Sequence, residues 1–401
     1  MNTNKPMTSK ERLLNTINHR QTDRVPLFLR FWPIQNEIDT IPFDWKNQIT
    51  RVENQLKQGM DDTLLLQPPL GYIEDYDVNK VPGVKSSVKI IPPGDGEEYP
   101  VLIKEYDTPE GTLRHAVRKT EDWIHGNDIF LFSDYNVPRA LEHIIKDMDD
   151  IKRLRYLLND PDSEQVNEFR KEAGFLRSEA QRLGVVLDGG WCSLGDTAVM
   201  LCGMERILIA QMDEPEFIES LLNTILEWEM KRIDMVLAEG VDVIVHMAWY
   251  EGTDFWTPGN YRSMLKPGLM KMIKKVHEKG KKFRYIITKG WKPVMDDLLE
   301  MGVDCITGVD PVQDNINLKE IKEKIGDKIC LMGGVNSPIM FTQWSDEKIM
   351  EAVDETMDIM APGGGFIMFP VDAVFNDMPW DKVQVLINRW KSSFDFYPFR
   401  D

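Results

Sequence analysis

Glu239-Gly240-Val241-Asp242-Val243-Ile244-Val245-His246 is the stretch on which the fold turns. The residues before Glu239 have the polar and apolar periodicity of a surface helix. Gly240 suits the left-handed position that closes a helix, and the β-branched run after it suits a strand buried on both faces. The same unit of helix, glycine and strand returns at Leu183-Gly184, Lys279-Gly280, Met301-Gly302, Ile325-Gly326 and Pro362-Gly363. Two further apolar runs, from Arg24 to Arg30 and from Asp62 to Leu66, bring the strands to eight. Asp213-Glu214-Pro215, Thr257-Pro258, Lys292-Pro293 and Ser345 supply N-cap or first-turn chemistry for the helices between them. Eight alternations predict a (β/α)8 TIM barrel, with the whole of 1–401 as one domain. A doubly wound sheet would share the alternation, but it usually carries a glycine-rich phosphate loop after its first strand, and Arg30-Phe31-Trp32-Pro33 is not one.

The rhythm breaks between 67 and 183, which reads as an insertion after the second strand. Alternating runs at Val101–Tyr106 and Gly111–Val117 predict a β-hairpin or small sheet, and Met148–Leu158 and Ser163–Leu183 predict two amphipathic helices. At the other end Thr8-x-x-Glu11 is a capping box opening an N-terminal helical extension. Such a helix would plug the lower mouth of the barrel or lie along a partner chain, as in a homodimer.

A formal charge of −18 argues against nucleic acid, which is bound through clustered Lys and Arg. No apolar stretch is long enough to cross a bilayer, and Met1–Thr8 has no apolar export segment, so a cytoplasmic protein is expected. Cys192, Cys202, Cys305 and Cys330 form neither a Cys-x-x-Cys nor a His-x-Cys pair and read as buried thiols. Small molecules or another protein remain as partners.

A barrel carries its active site at the C-terminal ends of its strands. That rule selects Arg30, Gln67, Asp188, His246, Lys289, Asp310, Asn336 and Asp372. The densest cluster runs from His246 through Trp249, Tyr250 and Glu251 to Asp254. His246 and Glu251 are the first candidates for a proton donor or metal-ligand set, while Asp254 reads as a helix cap. Asp310 and Asp372 are equally readable as catalytic groups or turn stabilisers, and Lys289 as an anion-orienting group or a solvated cation. Trp191, Trp249, Trp256 and Trp291 near the mouth favour an aromatic or macrocyclic ligand.

Several segments together resemble the uroporphyrinogen decarboxylase superfamily over almost the whole chain. They are Thr8–Ile17 followed by Thr22-Asp23-Arg24-Val25-Pro26, then Gly290–Gly302, Gly308-Val309-Asp310-Pro311, Gly326–Gly334 and Gly363–Ile367. The superfamily contains cofactor-free decarboxylases and methyltransferases that move methyl groups to or from a corrinoid. The decarboxylases' Gln-Ala-Gly-Arg segment after the first strand is replaced by Phe31-Trp32-Pro33-Ile34-Gln35, and their late Gly-His by Pro370-Val371-Asp372. The zinc-binding His-x-Cys-Gly of thiol methyltransferases is replaced by Ile287-Thr288-Lys289-Gly290.

What remains is similar to the first methyltransferases of anaerobic O-demethylase systems. The resemblance implies transfer of a methyl group from a small methyl ether, often an aryl one, to the cobalamin-type corrinoid of a partner protein. The leaving oxygen must then be protonated or electrostatically stabilised. His246, Glu251 or Tyr250 would donate the proton, Lys289 would stabilise charge, and Arg30, Asp188, Trp191, Trp249, Asp310, Asn336 and Asp372 would bind substrate. A zinc ion held by His246 with Glu251 or Asp310 would do the same work as a Lewis acid. A cofactor-free decarboxylase and a non-catalytic corrinoid- or porphyrin-binding protein are the alternatives.

Overall fold

Thr8 accepts a hydrogen bond from the Glu11 backbone N–H, and the Glu11 side chain accepts from the Thr8 N–H, so the first helix starts as its capping box predicts. The computed structural model describes residues 6–33, 38–69, 83–123, 125–132 and 139–394. In chain order the described elements begin with α1 (Ser9–Ile17), β1 (Phe31–Trp32), α2 (Gln48–Lys57) and β2 (Thr63–Leu66). An inserted block follows, made of β3 (Lys85–Ile91), β4 (Val101–Thr108), β5 (Gly111–Arg118), β6 (Ala140–Glu142), α3 (Met148–Leu157) and α4 (Ser163–Leu183). Next come β7 (Val186–Cys192), α5 (Gly195–Cys202), α6 (Met204–Asp213), α7 (Pro215–Ala238) and β8 (Val243–Met247). α8 (Pro258–Asn260) passes through one wide turn at Tyr261–Leu265 into α9 (Lys266–Glu278), before β9 (Lys282–Ile286), α10 (Met295–Met301) and β10 (Cys305–Val309). The chain then runs through α11 (Leu318–Ile325), β11 (Cys330–Asn336), α12 (Pro338–Gln343), α13 (Asp346–Met360), β12 (Phe366–Val371), β13 (Val374–Phe375) and α14 (Trp380–Ser392).

β2 and β7 to β12 form a curled parallel sheet of seven strands in the order β12-β11-β10-β9-β8-β7-β2. All six predicted units of helix, glycine and strand supply strands of this sheet. Gly184 and Gly302 close α4 and α10 in the left-handed conformation, which only glycine enters without steric cost. The run 24–30 was expected as a regular strand and makes single bridges instead, Leu27 with Met368 of β12 and Phe28 with Asp61 just before β2. The reason lies in its chemistry. Pro26 has no N–H to give, and the Gln55 side chain takes both the N–H and the carbonyl of Leu29, at 3.3 and 3.0 Å.

The lower interior is a compact apolar plug. Leu13 and Ile17 of α1 pack with Phe28, Val186, Val243 and Ile367, and Lys10 N–H donates to the Gly184 carbonyl before β7. Each buried aliphatic side chain there stabilises the fold by roughly 1.5–3 kcal/mol. Arg12 ties the helix down through Asp61 at 2.5 Å and Asp23 at 2.8 Å. All four cysteines are buried and free. Among the described residues no helix is long and apolar enough to cross a membrane.

Within 67–183 the expected hairpin is the centre of a four-stranded antiparallel sheet, β3-β4-β5-β6, and the two expected helices are α3 and α4. Residues 70–82, 124 and 133–138 of that stretch lie outside the described residues. His115 of β5 is buried, and burial together with the charges of His143, Lys104 and Lys146 pulls its pKa from 6.5 to about 3. Between these values the unfolded chain takes up a proton that the folded chain refuses. The stabilisation is therefore complete above pH 6.5 and lost as pH falls toward 3. His115→Leu is expected to reduce the stability lost between pH 7 and pH 5 by about 2 kcal/mol, read from urea unfolding at the two pH values.

Candidate active site

Successive residues of a strand face opposite sides of a sheet, and in a curled sheet one side is the interior. Thr63 and Leu65 of β2, Asp188 of β7, Val245 of β8, Arg284 and Ile286 of β9, Thr307 of β10, Met332 of β11 and Phe369 of β12 all border one interior cavity of about 230 Å3. Its wall is completed by Phe28, Phe31, Trp32 and Trp191, so most of the surface is aromatic or aliphatic. Five charged side chains also reach it: Arg30, Arg51, Asp62, Asp188 and Arg284. A mostly apolar chamber with a few placed polar groups is the usual form of a small-molecule site.

The charges occupy two levels. Deep in the chamber Asp188 accepts from Arg284 Nη2 at 2.8 Å and from Thr63 Oγ1 at 2.7 Å, while Asp62 accepts from Arg51 Nε at 2.9 Å. Burial raises both carboxyls, and the neighbouring arginines oppose the shift. Nearer the strand ends the Arg30 guanidinium lies 4.9 Å from the ring centres of Trp32 and Trp191 and 5.2 Å from that of Trp249. Asp372 meets the same guanidinium at 3.5 Å. Three indole faces around one cation form a desolvated cation–π cage. Trp191 and Trp249 were expected at the mouth, and with Arg30 and Asp372 they converge there.

A second network holds this cage from outside. Asp196, after β7, accepts from the backbone N–H groups of Trp249 and Tyr250, at 3.0 and 2.7 Å. Glu251, after β8, accepts in return from the N–H groups of Leu194 and Gly195, at 3.1 and 2.7 Å. The two loops thus clasp each other by exchanged carboxylates. A side-chain Cβ at Gly195 would lie 2.5 Å from Glu251 Cγ, so glycine is required for the approach. Glu251 is also bonded to His246 Nε2 at 3.0 Å and to the Tyr285 hydroxyl at 2.6 Å. Burial pushes the Glu251 carboxyl up, but His246, Tyr285 and Gly195 together outweigh it and leave it below its usual range. Burial and the charge of Glu251 raise Asp196 to about 7.

His246 and Glu251, the first candidates for a proton donor, lie outside this chamber. Both are fully buried, and neither borders the cavity. His246 follows Val245, so it points to the outer side of the sheet, where it stacks on Tyr285 at 5.3 Å. Tyr250 packs edge-on against Phe255, and Lys289, 58% exposed, pairs with Asp254 at 3.3 Å. Asp310 accepts from the N–H groups of Val312 and Gln313 and from the Asn336 side chain, which is turn-stabilising work. Trp256 and Trp291 are fully buried core residues. Among the described residues no three His, Cys, Asp or Glu side chains come together to hold a metal ion, so the zinc set of His246, Glu251 and Asp310 is not assembled.

Arg284, Asp62, Arg51, Thr63 and Asp196 were missed in the sequence. Alternation in Lys282-Phe283-Arg284-Tyr285-Ile286 puts Arg284 on the face opposite Phe283 and Tyr285, but it does not say which face is the interior. Asp188 lies in mid-strand, because β7 runs on through Gly189 and Gly190 to Cys192.

The family model for uroporphyrinogen decarboxylase (URO-D) matches residues 130–393. The chain belongs to the URO-D family. No curated protein matches this URO-D chain by sequence. A solved methyltransferase from Methanosarcina mazei is similar over 97% of this chain and 99% of its own, with 18% identity and a TM-score of 0.58, which shows a shared fold. A B12-independent methionine synthase from Shewanella sp. W3-18-1 is similar over 93% and 94% of the two chains, with 11% identity and a TM-score of 0.45.

In this URO-D chain His246→Ala leaves Glu251 charged, buried and short of its main partner, so stability is expected to fall by roughly 3–5 kcal/mol. Urea unfolding at pH 7 checks this. A variant as stable as the wild type would remove the clasp from its supporting role.

Proposed function

We propose that this protein is a methyltransferase that moves the methyl group of a small aryl methyl ether to the Co(I) corrinoid of a partner protein. The observation that carries the reading is an aromatic chamber of about 230 Å3 with a caged cation, Arg30, at its rim. That volume lies just under the roughly 300 Å3 at which ligand pockets usually begin and suits one ring better than a four-ring macrocycle. Membership of the URO-D family and the fold shared with a Methanosarcina mazei methyltransferase support the same class. In this reading the curled sheet closes as a single (β/α)8 barrel domain, with the run 24–30 as its eighth member.

The partner's corrinoid supplies the nucleophile that accepts the methyl group. This chain contributes the surroundings of the leaving oxygen. Phe28, Phe31, Trp191 and Phe369 hold the ring, and the aromatic wall excludes water from the ether. As the methyl carbon–oxygen bond breaks, its electron pair stays on oxygen, and the Arg30 guanidinium stabilises that charge in a desolvated setting. Asp372, 39% exposed at the same rim, keeps Arg30 oriented. The clasp of Asp196 and Glu251 positions Trp249 behind it. No step passes through His246, Glu251, Tyr250 or Lys289. Docking of the corrinoid protein at the rim places the nucleophile outside this chain, and a cytoplasmic setting follows from that partnership.

A cofactor-free decarboxylase is less well supported. It would need several cations free for substrate carboxylates, whereas of the three arginines on the chamber Arg51 and Arg284 are already bonded to Asp62 and Asp188.

Mixing the enzyme with Co(I) corrinoid protein and methoxyarenes under anoxic conditions is expected to give the absorbance change of corrinoid methylation. No change with any methyl ether would overturn the reading. Arg30→Ala is expected to lower kcat by about 100-fold or more with the melting temperature nearly unchanged, and Arg30→Lys to recover part of the loss.

A further inference from the structure

α6 carries apolar side chains on both of its faces. One face is buried in the fold through Ile207 and Ala210, and the other leaves Leu208, Ile209 and Met212 in solvent, 41, 47 and 81% exposed. A surface helix ordinarily turns charged residues outward. α11 does so with Lys319, Glu320, Glu323 and Lys324, and α13 with Glu347, Lys348, Glu351, Glu355 and Asp358. Positions 205, 208, 209 and 212 lie along one stripe of a helix, so the three apolar side chains form one patch. Exposed apolar patches rimmed by polar residues mark the places where another macromolecule binds.

The patch stands beside the mouth of the chamber. α7 begins two residues after α6 and runs back to Gly240 before β8, which puts α6 level with the C-terminal ends of the strands. Gln211 Nε2 donates to the Phe255 carbonyl at 2.9 Å, and its Oε1 accepts from Asn260 at 3.1 Å. These bonds tie α6 to the loop after β8, which brings Trp249 to Arg30. At the start of the helix Arg206 Nε donates to the Lys146 carbonyl at 3.2 Å, where Met148 opens α3 with its side chain also exposed.

Charge decides what covers this face. Arg206 is held by both oxygens of Glu214, at 2.8 and 2.9 Å, and Lys146 by Glu142 at 2.8 Å. Among the described residues no cation pairs with Glu205, Asp213 or Glu216, so the charge left over around the patch is negative. A second copy docked about a two-fold axis would bring this surface against itself and set these acids against one another. A different protein, with an apolar surface ringed by Lys and Arg, satisfies both the patch and its rim.

We infer that the outward face of α6 is where the corrinoid protein docks, and that this partner presents an apolar surface ringed by basic residues. The net charge of −18 adds long-range attraction for such a partner, which speeds encounter. The inference rests on the corrinoid reading above, but it concerns binding and is measured without turnover.

The probe is the corrinoid protein of the methylation assay in its Co(III) form, titrated by calorimetry into the full chain with no methyl donor present. Leu208→Gln/Met212→Gln is expected to weaken binding by at least about 10-fold. Asp213→Lys/Glu216→Lys is expected to weaken it as well and to flatten its dependence on salt. Both double variants change solvent-facing side chains, so each should keep the wild-type melting temperature and bind methoxybenzene as the wild type does, read from tryptophan quenching.

Equal affinity of the corrinoid protein for the wild type and both variants would overturn the inference, as would no binding to the wild type. A wild-type dimer in sedimentation that Leu208→Gln/Met212→Gln dissolves would assign the face to a second copy instead. Binding lost in the variants, with no methyl ether giving transfer to Co(I), would sink the proposed reaction and leave the docking surface standing. Methyl transfer to the corrinoid protein with the same KM in the wild type and both variants would do the reverse.

Discussion

A strand offers alternate side chains to opposite faces, and curling the parallel sheet makes one of those faces an interior with room for few atoms. Every polar residue admitted there has to be matched. Arg51 of α2 is matched with Asp62 just before β2, and Arg284 of β9 with Asp188 of β7 across the intervening β8, while most of the remaining inner surface is apolar. The outer face follows another logic, because helices cover it and polar groups survive by bonding to one another and to backbone. His246, Glu251, Tyr285 and Asp196 belong to that face.

The two faces act on each other through the loops after β7 and β8. The outer clasp fixes the backbone at 194–195 and 249–250, and the same segments carry Trp191 and Trp249 to the rim. Rigid backbone on one side of the sheet therefore sets the aromatic cage on the other. A cage built from three indoles has little conformational entropy to lose when a ligand arrives, which favours binding by preorganisation. α1 completes the design below, sealing the lower interior with Leu13 and Ile17 so that the chamber sits between this plug and the rim.

Much of this fold was legible residue by residue. The six glycine-ended units, the capping box at Thr8, the hairpin at Val101–Val117 and both helices of the inserted block are local, since each depends on periodicity and on a capping or turn residue within a few positions. The run 24–30 was misjudged as a regular strand because its pairing is replaced by Gln55, a side chain 26 positions away from Leu29. Of the candidates offered by the sequence, Arg30, Asp188 and Trp191 border the chamber, and Trp249 and Asp372 contact Arg30. His246, with Glu251 bonded to it, falls outside the chamber because a single residue step along β8 reverses the side that a side chain faces.

What the sequence determined alone is the order and type of the elements and the inventory of polar groups near the strand ends. Only the tertiary structure decided which of these groups meet. Asp188 and Arg284 are 96 positions apart and Asp196 and Tyr250 are 54 apart, and no local preference encodes such contacts. They arise from the curvature of the sheet and the register between strands, which are set by packing of the whole core at once.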